Sequence, residues 1–214
     1  MAETPEMAER RRSILAAAVQ AFDASGYAAT TMESVAAEAG ISKGSIYNYF
    51  TSKHDLFQQV FASAVATVEA DAVRLLDQPI PATQKLDTLL DYWYQRLGYH
   101  RRIGRLVLEF WVTAAREHQG DLAETFRQLY ARWRERMASL LAQGAQQGEF
   151  SREFNSPVAA SLILAILDGI EIQSILDVGV NVNDEFLAAL KRAIFAALAV
   201  KDRPTAADSR GIAS

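Results

Sequence analysis

Apolar residues recur at three- and four-residue spacing along most of the chain, and polar residues fill the faces between them. That period predicts helices. A first helix is read over Glu9 to Ser25, with Ile14, Leu15, Ala18, Val19 and Phe22 on one stripe and Gly26 ending it; residues 1 to about 8 are expected to fray. A long helix is read from Lys53 to about Leu76, on Leu56, Phe57, Val60, Phe61, Ala64, Val65 and Val68, stopped by Gln78-Pro79-Ile80-Pro81. Helices over 82 to about 99, Arg101 to about His118 and Asp121 to about Gln147 follow, with breaks at Gly98, Gly120 and Gly148. Pro157 opens another at its first turn, where proline fits. Its run Val158 to Leu167 is apolar almost all round, which predicts burial on more than one side and, at ten residues, is too short to span a bilayer. Asp184 opens the last helix, to about Val200. Glycine and proline are sparse and fall between periodic segments, so the reading is an all-α protein of about nine helices.

The stretch TTMESVAAEAGISKGSIYNYFTSK, from Thr30 to Lys53, is patterned differently. It reads as a helix over Met32 to Ala39, a stop at Gly40, a second helix over Lys43 to Phe50 capped by Ser42, and a third opened by Ser52. Thr30, with Glu33 three residues on, makes a capping box for the first of these; Thr31 is a nearly equal candidate. Val35, Ala36, Ala39, Ile41, Ile46 and Phe50 can face one another across the turn. That leaves Ser42, Lys43, Gly44, Ser45, Tyr47, Asn48 and Tyr49 at the front of the second helix: short hydrogen-bonding groups, a cation and aromatic hydroxyls. A helix-turn-helix reader of DNA needs this arrangement, a helix whose N-terminal end enters the major groove and a first helix that buttresses it. Spacing alone leaves a plain helical hairpin in an all-α core open.

Thr31, Val35, Ala36, Ala39, Gly40, Ile41, Ser42, Lys43, Gly44, Ser45, Ile46, Tyr47, Tyr49, Phe50, Ser52, Lys53 and Leu56 stand without a gap at the spacing of a known signature. In these residues the chain resembles the TetR family of bacterial transcriptional regulators. The resemblance covers about the first sixty residues; beyond them it rests on length and helical layout. It implies a homodimer that reads a palindromic double-stranded DNA operator, most often as a repressor, in the cytoplasm. It implies DNA contacts from Thr31, Ser42, Lys43, Gly44, Ser45, Tyr47, Asn48, Tyr49 and Lys53. Lys43, Ser45, Tyr47 and Asn48 are the candidates for base edges. Thr31, Ser42, Tyr49 and Lys53 are the candidates for phosphates, and Gly44 permits close approach. It also implies a small-molecule effector bound in the C-terminal helices, and dimerisation through the last two.

Charge changes this picture. The formal net charge is −4, and the first sixty residues hold five Arg or Lys against seven Asp or Glu. A nucleic-acid module carries a basic footprint, so DNA binding requires Arg10, Arg11, Arg12, Lys43 and Lys53 to share one face while Asp23, Glu33, Glu38 and Asp55 point elsewhere. A helical ligand-binding protein without DNA binding is the alternative that this balance favours. A DNA-binding regulator whose cavity is filled core is a second.

All three tryptophans, Trp93, Trp111 and Trp133, fall in the three helices between 82 and 147. Aromatics at helical spacing are usually core, but their density there fits an apolar cavity between helices. Trp93, Phe110, Trp111, Tyr130 and Trp133 are the candidate effector pocket, for a small apolar or aromatic ligand, with Glu109, His100, Arg105 and Arg116 as candidate polar partners. Asp168, beside the apolar run, needs a partner; a cap, an arginine or a ligand are all open, and a structural role is favoured.

Nothing points to an enzyme. The histidines are widely spaced, and there is no HExxH, phosphate loop or GxSxG elbow. The chain has no cysteine, and no metal or other cofactor is expected. No secretory signal or membrane segment is read. The expected division is a helix-turn-helix unit over 1–52, an effector and dimerisation unit over 53–200, and a disordered tail over 201–214.

Overall fold

The computed structural model describes residues 4–117 and 120–200; among them there are nine helices and no strand. Helix α1 (Pro5–Ala29) begins earlier than periodicity indicates. Thr4 caps it, its hydroxyl accepting from the Met7 amide at 3.3 Å, and Pro5 sits where its missing N–H costs nothing. Gly26, at φ +76°, kinks the chain near its end. Helix α2 (Met32–Glu38) is capped by Thr31 in a reciprocal box with Ser34, at 3.1 and 3.0 Å. Thr30 and Glu33 do other work. Thr30 is buried and donates back to the Ala21 and Gly26 carbonyls, tying down the end of α1.

Gly40 ends α2 at φ +66°. The Ile41 amide reaches back to the Ala36 carbonyl at 2.9 Å and the Gly40 amide to Ala37 at 3.1 Å, a Schellman closure that turns Ile41 into the core. Helix α3 (Lys43–Ile46) is shorter than the Lys43 to Phe50 expected. Its amides at Asn48 and Tyr49 bond three residues back, so the helix tightens into turns before Phe50 docks in the core. Helix α4 (Lys53–Leu76) then leaves this unit without interruption, capped by Ser52.

The rest is a bundle: α5 (Ala82–Arg102), α6 (Gly104–Glu117), α7 (Asp121–Gln147), α8 (Ser156–Ile175) and α9 (Asp184–Leu198). Two apolar cores hold the molecule. One gathers α1 to α4 with Leu106 and Phe110 of α6 and Leu122 of α7, so the helix-turn-helix shares its core with the bundle. Within it Phe57 packs on Phe110 at 4.4 Å, Phe110 on Phe61 at 4.9 Å and Phe61 on Phe126 at 4.4 Å. The second joins the far end of α4 to α5, α7, α8 and α9. Polar ties set the register: Glu69 on α4 accepts from Arg132 and Arg136 on α7 at 2.7 and 2.9 Å, and Lys191 on α9 reaches Asp87 and Asp91 on α5 at 2.8 and 2.7 Å.

Helix α8 corrects the sequence reading. The helix does not stop with the apolar run at Leu167 but continues to Ile175, and on length and composition Ser156–Leu176 is long enough to cross a membrane. In the fold, one face of α8 packs on α7, and Asp168 and Glu171 interrupt its hydropathy on the side of a cavity. The opposite face, Val158, Leu162, Ile166 and Leu176, is exposed. Residues 201–214, expected to be disordered, and His118 lie outside the described residues.

A methyl group added at Gly40 meets no atom within 4 Å, so its cost is that of the left-handed backbone alone. Gly40→Ala is expected to lower the unfolding free energy by about 1–2 kcal/mol, read as a shift in the urea midpoint with an unchanged slope.

Candidate nucleic-acid interface and ligand cavity

The front of α3 is presented to solvent by the core behind it. Ile46 and Phe50 are buried, which forces the intervening Tyr47 and Asn48 outward; Tyr47 is 48% exposed despite its ring. Thr31, Ser42, Lys43 and Gly44 are exposed beside them. The Ser42 hydroxyl accepts from the Ser45 amide at 3.1 Å and lies 2.8 Å from the Ser45 hydroxyl, fixing the start of the helix. Ser45 and Tyr49 are half-buried, and Tyr49 packs against the core. A Cβ on Gly44 would meet only the Ser42 hydroxyl, at 3.9 Å, so nothing within the protein requires glycine there.

The charges are arranged otherwise than expected. Glu33 does not point away from the face; it pairs with Lys43, and the hydrogen bond to Glu33 holds the lysine pKa above its ordinary value. The pair is exposed, so it is weak and exchangeable. Lys53 is half-buried: its ammonium donates to the carbonyls of Tyr27, Ala28 and Thr30 at 2.8, 3.1 and 2.9 Å and lies 4.6 Å from the centre of the Tyr27 ring. Three donors engaged on the end of α1 make it a tie between α4 and α1. Arg11 bonds Gln59 and covers the Phe50 ring at 5.1 Å, and Arg12 pairs with Glu9.

All five aromatics singled out for the pocket line a cavity. It has two chambers. The first, about 180 Å³, lies between α5, α7 and α8 and is lined by Leu89, Trp93, Met137, Leu164 and Leu167. The second, about 220 Å³, lies between α4, α6 and α7 and is lined by Phe61, Val107, Phe110, Trp111 and Phe126. Arg96, His100, Tyr130, Trp133, Asp168 and Glu171 border both. This shared wall is where the polar chemistry sits. The Tyr130 hydroxyl donates to Asp168 at 2.8 Å, and His100 Nδ1 lies 2.8 Å from Glu171. Of the expected polar partners only His100 borders the cavity; Glu109 and Arg116 do not, and the Arg105 side chain is outside the described residues. Arg96 borders the cavity although it was not among the residues singled out, and Asp168, left open to a cap, an arginine or a ligand, meets Tyr130 there. Two carboxylates one helical turn apart inside an apolar run were the available signal.

Two family models match. Residues 14–60 match bacterial regulatory proteins of the tetR family, and residues 82–207 match the C-terminal part of BetI-type transcriptional repressors. The chain belongs to the TetR family. It is a transcriptional regulator with a DNA-binding helix-turn-helix, and its relatives are regulators rather than enzymes. It is 29% identical to the HTH-type transcriptional repressor BepR of Brucella suis, over 77% of this chain and 79% of that protein. A match to the regulator YhgD of Bacillus subtilis is 36% identical but spans 34% of this chain and 38% of that one. Its fold is similar to a transcriptional regulator from Saccharomonospora viridis solved in complex with choline, at a TM-score of 0.71 and 23% identity, covering 87% of this chain and 94% of that one.

In this TetR-family protein the wall carboxylate is electrostatically unusual. Burial pushes the Asp168 pKa up to about 6; the Tyr130 hydrogen bond opposes this, and the neighbouring Glu171 charge adds to it. The Tyr130 hydroxyl is itself pushed up by burial and by Asp168. Between about pH 4 and pH 6 the native state therefore holds a proton on Asp168 that the unfolded chain has already released, and above about 6 the native carboxyl is ionised as well. Folding is favoured by this group below about pH 4, and that contribution is lost as pH rises through about 6. Asp168→Asn keeps an acceptor for Tyr130 without the buried charge. It is expected to be more stable than the parent at pH 7 by about 2 kcal/mol, the two converging near pH 4 in thermal or urea melts.

Proposed function

We propose that this regulator is a homodimeric, cytoplasmic repressor, released from a palindromic operator by a small molecule bound in the two-chambered cavity. Residues 1–52 are the reading unit and 53–200 the effector and dimerisation unit. The observation that carries the reading is the exposure of Lys43, Gly44, Tyr47 and Asn48 together on a helix whose back is locked into the core. Lys43, Tyr47 and Asn48 take base edges, with Ser45 at the margin. Thr31, Ser42 and Tyr49 reach phosphates, and Gly44 lets the backbone approach. Lys53 acts on DNA through α1 and α4, which it ties together, rather than through a phosphate. With so few free cations, the salt slope of binding is shallow.

Support for the dimer comes from the bundle surface. The exposed apolar face of α8 lies in a unit whose last helix exposes Ala188, Ala189, Ala193, Ala196 and Ala197. Small residues permit close helix contact about a two-fold axis, as in a four-helix interface. Two recognition helices then require half-sites about one helical turn apart, roughly 34–36 Å, or a multiple. Support for repression comes from the BepR relative and the BetI-type C-terminal match, and support for a small-molecule effector from the choline complex of a similar fold. The effector acts by binding better to a dimer shape whose reading heads miss the half-site spacing.

Selection of bound duplexes from a randomised library, at two salt concentrations, is expected to enrich a palindrome with fixed half-site spacing. Lys43→Ala and Tyr47→Ala should each weaken binding to it at least tenfold. Gly44→Ala should weaken it comparably while leaving the thermal midpoint equal or higher, since alanine favours helix by up to ~1 kcal/mol. No enriched palindrome, with the protein folded and dimeric, would remove the reading.

A further inference from the structure

The cavity wall carries a chemical preference. Asp168 and Glu171 stand three residues apart on α8 and both border both chambers. Among the described residues each has one hydrogen-bond partner on a neighbouring helix, Tyr130 on α7 and His100 on α5, each at 2.8 Å. No arginine or lysine forms an ion pair with either among the described residues. Among the described residues Arg96 is the one guanidinium on the wall, and it is turned to another partner. It lies 5.7 Å from the centre of the Tyr92 ring with Nη1 3.4 Å from the Tyr92 hydroxyl, which donates to Asp71 on α4 at 2.6 Å. Its Nε is buried with no protein acceptor, a donor left for something else.

Around the two carboxylates stand Trp133 and Tyr130, with Trp93 in one chamber and Trp111 in the other. Indole and phenol faces attract cations, most strongly where water is excluded. Neither chamber alone, at about 180 and 220 Å³, reaches the ~300 Å³ lower end of small-molecule sites, so a ligand of that size would have to occupy both. The geometry points to an elongated lipophilic monocation as the effector: its charge at the Asp168–Glu171 wall, one apolar arm in each chamber, and an acceptor atom between them for Arg96. This rests on reading the cavity as the effector site. It departs from a compact cation such as choline, which would fill one chamber and leave the other without a partner. An anionic amphiphile would bring its charge against two carboxylates.

The test uses the full-length protein and four probes: (2-phenoxyethyl)dimethyloctylammonium, the neutral N-(2-phenoxyethyl)-N-methyloctanamide, choline and octanoate. Binding is read from tryptophan quenching and from the thermal midpoint, which a native-state ligand must raise. The ammonium probe is expected to bind at least tenfold tighter than each of the other three. Asp168→Asn and Glu171→Gln should each weaken it about tenfold while leaving the neutral amide's affinity unchanged. Two variants are used so that a folding defect in one, visible in its ligand-free melt, does not decide the matter. Equal or tighter binding of the amide or octanoate, or cation binding indifferent to both substitutions, overturns the assignment; choline binding as tightly overturns the two-chamber part of it. A cation that binds as expected yet leaves the operator complex intact refutes effector control instead, while the ligand class stands.

Discussion

The ring contacts of Phe57 and Phe61 with Phe110 and Phe126 join the two halves of this protein. Phe57 also packs against Tyr27 at 4.5 Å and Phe22 at 5.5 Å, inside the helix-turn-helix. Phe126 continues to Tyr130, 6.4 Å between ring centres, and Tyr130 is bonded to Asp168 on the cavity wall. The helix-turn-helix is thus one edge of a packed core whose other edge is the two-chambered cavity. Close-packed interiors do not deform smoothly; they shift between arrangements. A ligand that moves Tyr130 or Phe126 must be accommodated by α4 or α6, and α4 carries Lys53, the tie to α1.

The reading face follows from the same constraint. Burial of Ile46 and Phe50 leaves Tyr47 and Asn48 no side but the outside, and the Gly40 closure fixes the angle from which α3 departs. The face is assembled with few cations, and its one forward lysine is held by Glu33. In the proposed reading, sequence discrimination rests on base contacts more than on phosphate neutralisation, which separates specificity from bulk electrostatic attraction. An acidic DNA-binding protein is consistent with that division of labour.

Much of this was legible in the sequence because the relevant signals are local. The spacing of Val35, Ala36, Gly40, Ile46 and Phe50 marks the helix-turn-helix, and the helical period with its glycine stops marks the bundle. The five cavity aromatics stood out by density. What the sequence hid depends on which group lies across from which. Thr31 rather than Thr30 caps α2 because the buried Thr30 is taken by α1 carbonyls. Lys53 is drawn to the end of α1. Helix α8 outruns its apolar stretch because its carboxylates face a cavity, where polarity is tolerated inside a hydrophobic helix. Arg96 gave no local sign, since its place beside Asp168 and Glu171 depends on how α5 sits against α8.

The central claim is that ligand in the cavity changes the separation of the two reading helices. The chain has no cysteine, so Asn48→Cys places a single spin label on each recognition helix of the dimer. Pulsed dipolar spectroscopy on the operator complex, and on the free dimer with and without the phenoxyethyl ammonium probe, reads their distance directly. The account predicts a narrow distribution on DNA, centred to within the label's reach near roughly 34–36 Å or a multiple, and a population displaced from it when the ligand is added. An identical distribution in the free and ligand-saturated dimer would contradict it.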